Sequence, residues 1–505
     1  MDKKEFSPRL GFAYSWDQKT VIRGGYGVFW IPNYTDFNIN PDNDPINLAT
    51  TPFFGTLTHG LSPAATLDES GCTFTSIATI GMAPGLTKCT PGPFTQGILP
   101  PPGRNGNTSL FIATNGAPTL APYTNPKEGY VQQWNLDIQR QLPAGFFADV
   151  AYAGSHGVHL SNDNPNVVIN QIPDSYITQA GAQAAAGQPV AIDQPFLLNG
   201  VPGNPLSSPN PSIGNLPTQS PTILAGQFDR PFPQYTNVSL AQFGCCGSSY
   251  NSLQATVTRR FQGGGTLLVA YTNAKLLSDT DTQTSWLENG NTGGVGQVQD
   301  WNNLKGERSL SSQDVSQRLV ISYVLDLPFG KGKMFLGGTS GVVGKLVSGW
   351  GVDGVTTFQR GFPLKIAWAG PATALENAGF GVSNVRPNVV AGCDKSGNRS
   401  LTSWFNTNCF AAPPQWGFGD ETRVDATLRA DGINNFDFSV FKRTQIGERI
   451  GVEFRTEFFD LFNHPQFGFP GTGFVAGNSN GFGQVTTTNT GNNPRLIQFA
   501  LKFVF

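Results

Sequence analysis

The stretch RLIQFALKFVF, Arg495 to Phe505, alternates along its length. Ile497, Phe499, Leu501, Phe503 and Phe505 fall on one face of an extended chain, while Gln498, Ala500 and Lys502 fall on the other. An apolar face, a polar face and a terminal aromatic in phase fit a membrane-crossing strand that turns one side to lipid and the other to a lumen. A half-buried soluble strand alternates too, so the rest of the chain has to decide.

Composition narrows the choice. Charged residues make up 13% of the 505 residues, against about 25% in soluble domains. Mean hydropathy is nevertheless only -0.20, and no apolar run approaches the roughly 18 residues a membrane helix needs. A helical membrane protein is excluded. A β-barrel satisfies both facts, because only alternate residues of each strand meet lipid and the loops are polar. The 61 Gly, 37 Pro and 38 Phe suit strands, turns and interface aromatics. A net charge of -2 gives no basic footprint for nucleic acid. Length alone would suggest several domains, but barrels are an exception.

One unit recurs: two alternating runs joined by a tight turn, then a long segment rich in Gly, Pro, Asn and Ser. Leu10, Phe12, Tyr14 and Trp16 share a face, Asp17 to Lys19 turn the chain, and Ile22, Tyr26, Val28 and Trp30 share the face of the return. Trp134, Leu136 and Ile138 lie on a strand from Tyr130 to Leu142, with a turn at Pro143 to Gly145 and a return through Phe146, Val150 and Tyr152. The later pairs are Asn251 to Phe261 with Thr266 to Lys275, Gln317 to Leu327 with Gly349 to Gln359, and Asn434 to Arg443 with Arg449 to Phe462. The expected fold is thus all-β: an antiparallel transmembrane outer-membrane barrel of roughly eleven strands, with short periplasmic turns and long extracellular loops. Because complete bacterial barrels have an even strand number, this count implies a partial barrel. MDKKEFSPRL has no apolar leader core, and residues 1–505 are expected to be the C-terminal portion of something longer.

Several stretches carry a family resemblance. They are FSPRLGFAYSWDQKTVIRGGYGVFW (Phe6 to Trp30), VQQWNLDIQRQLPAGFFADVAYAGSHGVHL (Val131 to Leu160), RPFPQY (Arg230 to Tyr235), NLKGERSLSSQDVSQRLVISYVLDLPFGKGK (Asn303 to Lys333) and NNFDFSVFKRTQIGERIGVEFRTEFFDLFNHPQFG (Asn434 to Gly468). In this order they resemble TonB-dependent outer-membrane transporters of the Oar-like group. The resemblance implies a barrel of about 22 strands with a plugged lumen. It also implies an upstream signal peptide, carboxypeptidase-regulatory-like domain and plug, none visible here. The implied partners are outer-membrane lipid, the barrel-assembly machinery, the TonB complex through the N-terminal region, and a nutrient such as a glycan, peptide or chelated metal. The implied location is the outer membrane.

Phe499, Leu501, Phe503 and Phe505 are the expected assembly signal. Glu453, Arg455 and Glu457 alternate with Val452, Phe454 and Phe458 and are expected to face the lumen, as ligand contacts or as a salt-bridge ladder between strands. Six cysteines in an exported chain invite pairing. Local clips Cys72 to Cys89 and Cys393 to Cys409 are expected; for the adjacent Cys245 and Cys246, ordinary loop thiols or bridges elsewhere are preferred, with a strained vicinal disulfide of redox or binding role as the alternative. His156 and His159 lack a nearby carboxylate or thiol and make a poor metal site. His464 reads as a packing residue, and Asp42 and Asp44 as turn chemistry. No nucleophile elbow, zinc-protease helix or phosphate loop is found; neither an enzymatic activity nor a cofactor is expected. Two rivals stay open: a passive barrel or surface adhesin without TonB coupling, and a soluble all-β carbohydrate-binding protein.

Overall fold

The computed structural model describes residues 6–31, 56–57, 62–63, 118–122, 128–161, 167–197, 222–233, 237–241, 244–262, 264–279, 297–446, 449–477, 481–489 and 494–505. Eleven strands follow one another in chain order, every neighbouring pair antiparallel. They are β1 (Arg9–Ser15), β2 (Thr20–Trp30), β3 (Tyr130–Gln141), β4 (Phe146–Ser161), β5 (Gly244–Arg260), β6 (Gly265–Ser278), β7 (Gln317–Asp326), β8 (Trp350–Gln359), β9 (Ile433–Ile446), β10 (Ile450–Phe459) and β11 (Leu496–Val504). The two-residue strand Ser309–Leu310 pairs beside β6 and makes the sheet 12-stranded.

Register sorts the wall into two faces. One ladder row runs Leu10–Tyr26–Trp134–Gly154–Asn251, and the next runs Tyr14–Ile22–Ile138–Val150–Ala255–Tyr271–Leu319–Phe358. At the other end Val440, Thr456 and Phe499 align, as do Lys442, Phe454 and Leu501. These rows form the apolar outer face that meets lipid. Offset by one residue, Arg23, Asp137 and Ala151 align, as do Asp353, Ser439 and Glu457. That polar face lines the lumen, since the side-chain period of two puts every second residue there.

Turn chemistry closes the narrow end. Asp17 accepts from the Lys19 backbone N–H at 2.7 Å and from the Thr20 hydroxyl at 3.1 Å, an Asx turn between β1 and β2. Between β5 and β6, Gly264 and Gly265 adopt φ of 101° and 115°, a conformation only glycine takes without strain. The β7–β8 connection departs from the expected tight turn. It runs over residues 327–349 and contains helix α2, Gly341–Val347, which among the described residues follows helix α1, Asp174–Ala185. β5 also starts at Gly244 rather than Asn251, and β10 stops at Phe459 because Asp460 turns the chain with φ of 50°.

The buried core lies in the loops. One cluster joins Leu364, Trp404, Phe405 and Phe410 from the β8–β9 loop to Phe474, Phe482 and Val485 from the β10–β11 loop. A second joins Ile172, Ile177 and Ile192 from the β4–β5 loop to Leu375, Phe380 and Trp416. A short helix α3, Ala374–Asn377, enters the second cluster behind a capping box made by Thr373 and Glu376. The loops were expected to be polar surface segments. They instead bury large aromatics together, which gives them a shared platform over the wide end of the wall.

Candidate ligand-facing wall and loop platform

Glu453, Arg455 and Glu457 all stand on the lumen face of β10. Arg455 reaches Asp353 of β8 at 2.9 Å, Glu453 at 3.1 Å and Glu457 at 3.6 Å. Arg443 of β9 bonds Glu453 at 2.8 Å. Both guanidiniums lie over the ring of buried Phe441, at 4.4 Å and 5.4 Å from its centroid. Three strands are thereby cross-linked by charge-assisted bonds, with the cations spread over an aromatic face. The periodicity of β10 signalled its own charges, whereas Asp353 and Phe441 come from other strands and carried no local sign.

Across the wall, small residues open a cavity of about 430 Å³ on the inner side of β1 to β5. Gly25, Gly27 and Ala153 form its floor, and Arg9, Phe29, Gln133, Asn135, Ser155 and Tyr250 stand around it. Arg9 lies 4.7 Å over the Phe29 ring. Such a mixture of amide, hydroxyl, aromatic and cationic groups over bare backbone can hold a polar organic molecule by hydrogen bonds and ring contact.

The platform is tied by ions taken out of water. Arg386 bonds Glu307 at 2.7 Å, and Arg429 pairs with Asp314, so the β6–β7 loop is fastened twice to the β8–β9 loop. Gln171 donates to Asp300 at 2.7 Å and brings in the β4–β5 loop. Burial raises the Asp300 carboxyl above its ordinary range even against that hydrogen bond. Lys395 bridges Glu421 and Asp425. Arg230, buried, donates to the Gln227 side-chain oxygen at 2.9 Å and to the carbonyls of Asn170 and Gly379 at 2.8 Å and 3.1 Å. Desolvation lowers its pKa to about 10. In the sequence Arg230 was only part of RPFPQY; nothing there marked it as a buried cation.

Cys393 and Cys409 are joined by a disulfide, Cα atoms 5.4 Å apart, beside the first loop core. Cys72 and Cys89 lie outside the described residues, as do Asp42 and Asp44. Cys245 and Cys246 are bonded to each other, the vicinal alternative, which corrects the preferred reading of them as loop thiols or bridges elsewhere. They sit where β5 shifts register against β4, between Gly244 and Ser248, and an irregularity of that kind leaves no periodic trace in sequence. His159 places Nδ1 3.3 Å from the Gly244 carbonyl oxygen, and the His464 backbone N–H donates to Asp460. Phe499, Leu501 and Phe503 project from the outer face of β11, with Phe499 stacked on Phe454 at 6.3 Å, and Phe505 stands exposed beyond them.

Among solved structures, the outer membrane transporter YddB from Escherichia coli is similar at 7% identity and a TM-score of 0.38, over 97% of this chain and 39% of that one. The ferripyoverdine receptor of Pseudomonas aeruginosa gives 8% and 0.33, over 99% and 32%. The ferric citrate transporter FecA gives 7% and 0.33, over 99% and 38%. The chain thus spans well under half the length of these proteins. No match is found among curated protein sequences. A family model described as an outer membrane beta barrel domain covers residues 1–498, and with a two-faced antiparallel wall behind that match, the chain belongs to the outer membrane β-barrel family.

Proposed function

We propose that this chain is the C-terminal, ligand-facing part of a TonB-dependent receptor that takes up a nutrient across the outer membrane without covalent chemistry. The observation that carries the reading is the union of a polar lumen wall, bearing a cavity of about 430 Å³, with a loop platform rigid enough to hold a selective entrance. A surface that only needed solubility would not bury seven aromatics and several ion pairs in its loops.

Two features support further strands and a plug. Among the described residues β1 and β11 each pair on one side only, and both run from the loop end to the turn end. Direct pairing of the two would be parallel, whereas an odd number of added strands makes both seams antiparallel and the total even. On the lumen side one ladder row runs Phe147–Thr258–Leu268–Ser322–Val355. Its Phe147, Leu268 and Val355 are exposed, an apolar strip suited to a packed plug.

The test is uptake. Cells with and without the gene are offered glycans, peptides or chelated iron as the limiting source, with and without a protonophore. Gene-dependent accumulation of one class, abolished by the protonophore, is the expected result. Gene-dependent entry that ignores the protonophore means a passive barrel, and surface attachment without entry means an adhesin.

A further inference from the structure

The connection between β7 and β8 is the exception among the narrow-end turns, and its surface is apolar where a periplasmic turn should be wet. On α2, Val342, Val343 and Leu346 are 76%, 58% and 61% exposed. Their spacing of three and four residues puts them on one helix face. Met334, in the tight turn before it, is 83% exposed. Residues 327–349 carry lysines at 331, 333 and 345 and no carboxylate. The segment is also ordered from within. Gly330 N–H donates to the Phe335 carbonyl and Phe335 N–H to the Pro328 carbonyl, each at 2.9 Å, and Lys331 N–H donates to the Ser348 hydroxyl at 3.0 Å.

The position of α2 is fixed by two side chains of the lipid-facing surface. Trp350 and Lys442 are opposite one another on the outer face, in line with Phe454 and Leu501. The Trp350 indole donates to the Leu346 carbonyl at 2.8 Å. The Lys442 ammonium donates to the carbonyls of Lys345 and Ser348 at 2.9 Å and 2.7 Å, and lies 5.1 Å over the Trp350 ring. The C-terminal turn of α2 is therefore held against the outside of the wall, not beneath the lumen. Its exposed apolar residues continue the lipid-facing band past the narrow rim.

We propose that residues 327–349 form an interfacial foot. It lays α2 into the inner leaflet of the outer membrane, with Lys331 and Lys345 on the phosphates of anionic phospholipid. A short apolar helix face with basic neighbours, beside a tryptophan at headgroup depth, is the chemistry that binds a lipid surface. Positive charge without carboxylates selects anionic headgroups. The foot gives the wall a fixed depth and tilt at β7 to β9, and it rests on the membrane placement of the wall, not on which nutrient is carried.

The test uses the full chain in outer membranes with p-benzoyl-phenylalanine at one of two positions, Val343 or the lipid-facing Leu136. After irradiation both should gain the mass of a phospholipid. In phosphatidylethanolamine vesicles containing phosphatidylglycerol, K331Q/K345Q should cut the Val343 adduct by about fivefold or more and leave the Leu136 adduct unchanged. Lipid adducts at Leu136 with none at Val343, or with Val343 captured by protein, overturn the foot alone. Loss of lipid adducts at both positions removes the wall from the membrane and the foot with it. An adduct at Val343 that is indifferent to the lysines and to phosphatidylglycerol overturns the headgroup assignment.

Discussion

The wall and the loop platform bury their large side chains in opposite directions. In the wall, Leu136, Phe454 and Phe499 are exposed by the protein and left for lipid to cover. In the platform, Ile172, Leu375, Phe380 and Phe405 are covered by other loops until almost nothing shows. Charge follows the same division. Arg455 and its carboxylates stay part-exposed on the lumen side, while Arg386, Glu307, Arg429 and Asp314 pair deep inside the platform. The wall thus behaves as a barrel does in a membrane, and the platform as a small globular domain assembled from loops does in water.

The contrast breaks most sharply at Phe380. Phe380→Ala removes a fully buried ring and should cost the platform about 4 kcal/mol, seen as faster amide exchange through α1 and residues 360–432 while the wall stays membrane-embedded. Unchanged exchange in those loops would show that they are not a packed body. The next largest effect lies in the wall. Leu136→Arg puts a charge on the lipid face and should cost about 3 kcal/mol, whereas Asn135→Arg, one residue away on the lumen side, should be tolerated. Refolding yields into vesicles measure both, and equal sensitivity of the two positions would contradict the register.

The same contrast explains what was legible in the sequence. A strand writes its two faces into consecutive residues, so all eleven strands could be read from alternation, and Glu453, Arg455 and Glu457 were found as a set. Their partner Asp353 is two strands back in the chain, on β8, and has no such signal. The platform has no period at all. Phe410 meets Phe482, and Arg423 donates to the Ser278 carbonyl at 2.8 Å, across separations that only the folded chain brings together. The glycines between Phe329 and Lys333 look like turn chemistry, which hides the apolar face of α2 that follows.

Smaller effects sharpen the platform side. Lys395→Met leaves Glu421 and Asp425 facing each other without their cation, and should cost about 2 kcal/mol, less than a fully buried pair because Lys395 keeps some solvent contact. The same exchange experiment reads it, and no change would mean the bridge is idle. Acidity should act more gently. Burial pushes Asp425 up, but hydrogen bonds from Lys395 and Thr427 outweigh it and hold the carboxyl below its ordinary range. Its contribution is therefore complete above the ordinary carboxylate pKa and lost as pH falls through the lowered folded value. Glu421, raised by burial, works in the opposite sense, so its ionisation weakens the platform as pH rises from its ordinary value to its raised one. Platform opening should accelerate in acid, and Asp425→Asn should flatten that limb of the profile. An unaltered acid limb in the variant would assign it to other groups.

The most direct measurement is residue-level labelling of the chain in outer membranes with a lipid-soluble carbene reagent, read by peptide mass spectrometry. Label at Leu136, Tyr152, Phe454 and Phe499, with little at Asn135, Gln254 and Arg455, is the expected outcome for a lipid-facing register. Equal labelling of both sets, or label concentrated on Phe380 and Phe405, would contradict the assignment of the wall to the membrane and the platform to water.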